Sequence, residues 1–180
     1  MNIFISGGCK NGKSFYAQRA AKEMAEKKGL PLYYIATMIP RDSEDRARIA
    51  RHIDERKGWG FITIEQPANL TEICKREDVH LNGVFLLDSV TAIMENEMFP
   101  REGEVSFDSG AVSRVKRDMI DFARATGNTV FVSDGIYGDG GEYSQSTEVY
   151  RRGLAEVDRA LAEMCERVVE ISYGYGEIWK

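Results

Sequence analysis

Cysteine is sparse in this 180-residue chain, and the three copies, Cys9, Cys74 and Cys165, are odd in number and far apart. They match neither a disulfide framework nor a zinc-ligand spacing, so a reducing cytoplasm is the expected home. Long apolar runs are also missing. None approaches the roughly 20 residues that cross a bilayer, and Ile3 to Ser6 runs straight into glycines, too short for a signal peptide. No membrane partner is expected. Basic residues are outnumbered, 24 Lys and Arg against 29 Asp and Glu for a net charge of -5. That balance excludes a broad polyanion-binding face, so no nucleic acid is expected, although a local basic pocket remains compatible. Repeats, linkers and low-complexity tracts are lacking too, which predicts one domain over residues 1–180.

What is present is an alternation of short apolar runs with longer helical patterns. This predicts an α/β fold with a mostly parallel central sheet flanked by helices. The strand candidates are Asn2–Ser6, Leu32–Ala36, Phe61–Ile64, Val84–Asp88, Thr129–Ser133 and Val168–Ser172. Several are apolar on consecutive residues, as suits strands covered on both faces. Helical patterns occupy Lys13–Lys28, Ser43–Lys57, Leu70–Glu77, Val105–Ala125 and Thr147–Cys165. The first places Tyr16, Ala17, Ala20, Ala21, Met24 and Ala25 on one side and stops at Lys27, Lys28 and Gly29. Residues 135–146, with four glycines, read as a mobile loop.

The strongest local signal is Gly7-Gly8-Cys9-Lys10-Asn11-Gly12-Lys13-Ser14, a P-loop between a strand and a helix. Glycines let the backbone turn tightly, so that its N–H groups face phosphate oxygens, and the helix adds the positive end of its dipole. Lys13 is placed to reach the β- and γ-phosphates of GTP or ATP, and the Ser14 hydroxyl to coordinate Mg²⁺. Cys9 reads as a backbone position of the loop rather than a redox residue. A P-loop enzyme also needs a carboxylate at the end of an apolar strand, directly on Mg²⁺ or through water. Asp88 and Asp134 both qualify, with Asp88 slightly ahead because a helical stretch follows closely after Thr91. Of the two histidines, His80 reads as a surface residue. His52 lies on a highly charged helix beside a stripe marked by Ile49 and Ile53, and by spacing alone reads as a solvated position.

The loop is followed in order by Tyr34-Ile35-Ala36-Thr37, Arg48-Ile49-Ala50-Arg51-His52, Arg56, Trp59, Thr63-Ile64-Glu65-Gln66-Pro67 and Leu86-Leu87-Asp88. This series resembles the bifunctional adenosylcobinamide kinase and adenosylcobinamide-phosphate guanylyltransferase family of cobalamin biosynthesis. The resemblance implies a RecA-like nucleotide-binding fold, a homotrimer and two activities. A nucleoside triphosphate phosphorylates the hydroxyl of the corrinoid adenosylcobinamide. GTP then gives GMP to a histidine, matched here by His52, and the GMP passes to the phosphorylated corrinoid to give adenosylcobinamide-GDP. It also implies that Ala36, Thr37, Met38, Ile53, Asp54, Glu55 and Arg56 help form the nucleotide site, with Glu65 and Asp88 as acidic positions lining it and Asp88 a candidate Mg²⁺ ligand. The second half departs from the family's pattern at Ser133-Asp134-Gly135-Ile136-Tyr137 and at Gly153-Leu154-Ala155-Glu156-Val157-Asp158. Two other functions fit the loop: a small-molecule kinase that forms no GMP adduct, and a nucleotide-binding protein without turnover.

Overall fold

The computed structural model describes residues 1–40, 42–99, 107–138 and 140–180. Its elements are β1 (Ile3–Gly7), α1 (Lys13–Lys28), β2 (Leu32–Ala36), α2 (Ser43–Glu55), β3 (Ile62–Glu65), a 3-10 helix (Leu70–Lys75), β4 (Val84–Asp88), α3 (Val90–Met98), α4 (Ala111–Thr126), β5 (Thr129–Val132), α5 (Gln145–Met164), β6 (Arg167–Ser172) and β7 (Tyr175–Ile178). The strands form a seven-stranded sheet in the order β3-β2-β4-β5-β1-β6-β7. All neighbours are parallel except the closing β6–β7 pair. The α/β fold with a mostly parallel sheet is therefore present.

Alternation along the strands divides the core in two, because successive side chains leave a strand on opposite faces. Ile3, Ile5, Leu86, Val130 and Val132 face α1, where Ala17, Ala21, Met24 and Ala25 meet them. Phe4, Ile35, Phe85, Leu87 and Phe131 face the other way, toward Ile93 and Met94 of α3, Val115 and Phe122 of α4 and Leu154 and Leu161 of α5. Phe85 lies stacked on Tyr33 at 4.9 Å and edge-on to Phe122 at 5.3 Å, geometries that suit the aromatic quadrupole.

Several expectations need correcting. Residues 70–77 do not form an α-helix; the chain turns at Asn69, with φ 48°, into a 3-10 helix. Its i, i+3 spacing stacks Leu70 and Ile73 on the buried side. The helix expected from Val105 begins at Ala111; residues 105 and 106 lie outside the described residues. Just before that helix, the Asp108 carboxylate accepts from the Gly110 N–H and from Arg114, each at 2.8 Å, and holds a turn. Helix α2 ends at Glu55 and buries none of its residues, so Ile49 and Ile53 do not form a buried stripe; Ile53 is 50% exposed. Helix α3 is the helical stretch expected around Thr91, whereas strand β7 was not among the expected elements.

Candidate functional site

Parallel strands bring their carboxyl ends to one edge, where loops collect functional groups. Gly7 closes β1 where a Cβ would stand 2.3 Å from the Ile171 carbonyl oxygen of β6, so only glycine fits. Gly12, at φ 88°, caps α1 in the left-handed region and turns the chain from loop into helix. Gly8, Cys9 and Lys10 are exposed between them, and Asn11 is half-buried. Cys9 is a free thiol, as are Cys74 and Cys165.

Lys13 is a buried cation of the site, only 6% exposed. Its Nζ donates to the Gly8 carbonyl at 2.7 Å and pairs with Asp134 Oδ1 at 2.8 Å. Asp134 follows β5, and the next residue, Gly135, donates its N–H to the Gly7 carbonyl at 3.1 Å, tying this segment to the base of the loop. The Ser14 hydroxyl lies close to the Asp88 carboxylate. Burial raises the Asp88 pKa, and the Asp134 charge adds to this, while the Ser14 hydroxyl and the charges of His52 and Lys13 pull it down. The His52 Nδ1 lies 3.3 Å from Glu55 on the same helix face.

The remaining expected positions separate into an edge group and a helix group. Ala36 stands in register between Glu65 of β3 and Asp88 of β4, so both acidic positions flank it at the carboxyl edge. Thr37 is buried; its hydroxyl donates to the Asp88 carbonyl at 3.2 Å and accepts the Ser89 N–H at 3.0 Å. Met38 is half-buried in the same segment. At the end of α2, Asp54 pairs with Lys57 at 2.6 Å. The Arg56 guanidinium lies 3.5 Å from the Tyr34 ring centre and is buried, which anchors this end of the helix to β2. Ile53 stays exposed.

Two side chains outside the expected set shape the edge. Asn96 of α3 donates to the Thr37 carbonyl at 2.8 Å and the Pro67 carbonyl at 3.0 Å, joining the segments after β2 and β3. Asp158 of α5, 2% exposed, accepts from Ser133 at 2.9 Å and Tyr137 at 3.1 Å, beside Asp134. Neither carries a motif, and their partners are distant in sequence.

Among the described residues no group of three or more His, Cys, Asp or Glu side chains could hold a metal. Mg²⁺ needs no such cage, since it keeps several waters and binds through one or two carboxylates plus substrate phosphates. The adjoining Ser14 hydroxyl and Asp88 carboxylate are hard oxygen donors of the right kind.

A glycine-rich loop between β1 and α1, with a buried lysine and a carboxylate at the end of a nearby strand, defines a P-loop nucleotide-binding protein. The chain belongs to the cobinamide kinase / cobinamide phosphate guanyltransferase family, whose model matches residues 3–177. It is similar to the bifunctional adenosylcobalamin biosynthesis protein CobU of Escherichia coli, 32% identical over 105 residues, 58% of this chain and 54% of that protein. It is likewise similar to the bifunctional adenosylcobalamin biosynthesis protein CobP of Pseudomonas aeruginosa, 33% identical over 96 residues, 53% of this chain and 52% of that protein. The matched stretch spans about half the length of each relative. Among solved structures, the flagellar accessory protein FlaH from Methanocaldococcus jannaschii aligns with 99% of this chain and 77% of its own, at 13% identity and a TM-score of 0.48.

Proposed function

We propose that this protein phosphorylates adenosylcobinamide with GTP or ATP and then transfers GMP from GTP to the phosphorylated corrinoid through a guanylylated His52. Family membership gives the reaction class, and the observation that supports the assignment to this site is the convergence of Lys13, Asp134, Ser14 and Asp88 at one edge.

In the first reaction the corrinoid hydroxyl oxygen attacks the γ-phosphorus, the bond to the β-phosphate oxygen breaks, and a nucleoside diphosphate leaves. Lys13 stabilises charge on the phosphates as that bond breaks. In the second, a neutral imidazole nitrogen of His52 attacks the α-phosphorus of GTP and pyrophosphate leaves. An oxygen of the corrinoid phosphate then attacks the same phosphorus, breaks the P–N bond and returns the imidazole. Ser14 and Asp88 would hold Mg²⁺, which supplies charge neutralisation on the phosphates. Glu65, across Ala36 from Asp88, can accept the N–H groups of a guanine edge.

The same reading makes residues 1–180 one domain and the working unit a homotrimer in the cytoplasm. Ile53 and Ile62, 50% and 53% exposed, offer apolar surface for a subunit contact, and sedimentation would give its mass. Three free cysteines suit a reducing compartment. No described helix is long and apolar enough to cross a membrane.

Incubation with adenosylcobinamide, Mg²⁺ and GTP, followed by mass analysis of the corrinoid, tests the proposal. Wild-type protein should yield adenosylcobinamide-GDP, His52→Ala should stop at the phosphate, and Lys13→Ala should yield neither. Wild-type product that stops at the phosphate would favour a kinase alone, and no modified corrinoid would refute both activities.

A further inference from the structure

Phosphorylation of a hydroxyl needs a destination for the hydroxyl's proton, and the group that takes it must stand beside the γ-phosphate. Lys13 marks that place, because a P-loop lysine meets the β- and γ-phosphates. An ammonium has three donors. The Gly8 carbonyl takes one at 2.7 Å and Asp134 Oδ1 another at 2.8 Å, which leaves a third for a phosphate oxygen. Asp134 is therefore one nitrogen away from the γ-phosphate.

The other carboxylates of the edge stand elsewhere. Asp88 lies close to the Ser14 hydroxyl, where the cation belongs. Asp158 is 2% exposed and covered by Ser133 and Tyr137, out of reach of a substrate. Glu65 closes β3, and strands β2, β4 and β5 separate it from β1. Strand β5 lies directly beside β1, with Val132 in register with Ile5. The Asp134 side chain is 33% exposed, so an acceptor can approach it while Oδ1 holds the lysine.

The carboxylate is also held in place. The Asp134 N–H donates to Thr91 Oγ1 of α3 at 3.0 Å. On either side of it, the Ser133 N–H donates to the Ile5 carbonyl at 3.0 Å and the Gly135 N–H to the Gly7 carbonyl at 3.1 Å. The Ser133 hydroxyl donates to Asp158 of α5 at 2.9 Å. Contacts from β1, α3 and α5 thus fix the residue, the preorganisation that proton transfer in a transition state requires.

We infer that Asp134 is the general base of the phosphorylation reaction. The inference rests on the proposed kinase activity and adds the residue that takes the proton. The acceptor O–H bond breaks as its oxygen bonds to the γ-phosphorus, and the proton passes to Asp134 Oδ2. The bond from the γ-phosphorus to the bridging oxygen breaks and releases the nucleoside diphosphate. Asp134 then gives the proton to water through its exposed face. The GMP transfer makes no such demand, since the imidazole nitrogen that attacks the α-phosphorus carries no proton.

The test is steady-state phosphorylation of adenosylcobinamide by GTP and Mg²⁺, with Asp134→Asn against wild type. Asparagine keeps an oxygen for Lys13 and cannot take a proton. The kcat for phosphorylation should fall about 100-fold or more. The KM for GTP, the Mg²⁺ requirement and the α-label retained from GTP should stay as in wild type. An unchanged kcat would overturn the base. A raised Mg²⁺ requirement would also overturn it by making Asp134 a metal ligand, and so would a parallel loss of the α-label or a raised KM for GTP, by making it a support of the loop. Wild-type protein that phosphorylates no corrinoid would remove the kinase reading itself, and the base with it.

Discussion

Asp158→Asn should make the protein more stable at alkaline pH while leaving its stability near pH 4 almost unchanged. Asp158 is 2% exposed, its Oδ2 accepts from Ser133 and Tyr137, and its buried Oδ1 has no partner among the described residues. Burial pushes its pKa from an ordinary 3.8 up to about 7; the Asp134 charge adds to this and the two hydrogen bonds oppose it. The folded state therefore binds this proton more tightly than the unfolded chain. The stabilisation is complete below the unfolded pKa and is lost as pH rises through the folded one. At about 1.4 kcal/mol for each unit, the shift corresponds to about 4 kcal/mol in the limit, of which about 2–3 kcal/mol falls between pH 5 and pH 8. Asparagine resembles the protonated acid in shape and cannot ionise. Urea unfolding of both proteins across that range gives the difference directly, with the other titrating groups cancelling. A stability difference that stays flat from pH 5 to pH 8 would refute the reasoning.

Three further outcomes follow from single contacts. Arg56→Ala removes the guanidinium stacked 3.5 Å from the Tyr34 ring centre, and should cost about 1–2 kcal/mol in urea unfolding. Asn96→Ala leaves the Thr37 and Pro67 carbonyls without their shared donor. It should cost about 1–3 kcal/mol in the same assay and raise the KM for nucleotide by loosening the segment after β2. Lys13→Ala should lower the phosphorylation rate about 100-fold or more with the chain still folded, read from initial rates and circular dichroism.

Legibility in the sequence followed how local the controlling contacts are. Leu32–Ala36 and Val84–Asp88 coincide with β2 and β4, because strands covered on both faces need apolar residues in sequence. Strand β7 escaped notice because all four of its residues are exposed, so no burial pattern marks them. Helix α2 has the amphipathic spacing of a packed helix yet buries nothing, and spacing says nothing about what a helix lies against. The phosphate loop was readable because glycine, lysine and serine act within eight consecutive residues. Asn96 and Asp158 were not, since Asn96 bonds residues 59 and 29 positions away and Asp158 bonds residues 25 and 21 positions away. Asp134 was visible as a strand-end carboxylate, but its pairing with Lys13 required the order of the sheet.

The central claim is that His52 becomes covalently guanylylated by GTP bound at this edge, and GTP labelled at the α-phosphate tests it most directly. After incubation with Mg²⁺ and denaturation, wild-type protein should retain the α-label in an acid-labile, alkali-stable bond and retain no γ-label. The α-label should be absent from folded His52→Ala. Wild-type protein that retains no α-label, or His52→Ala that retains it undiminished, would contradict the account.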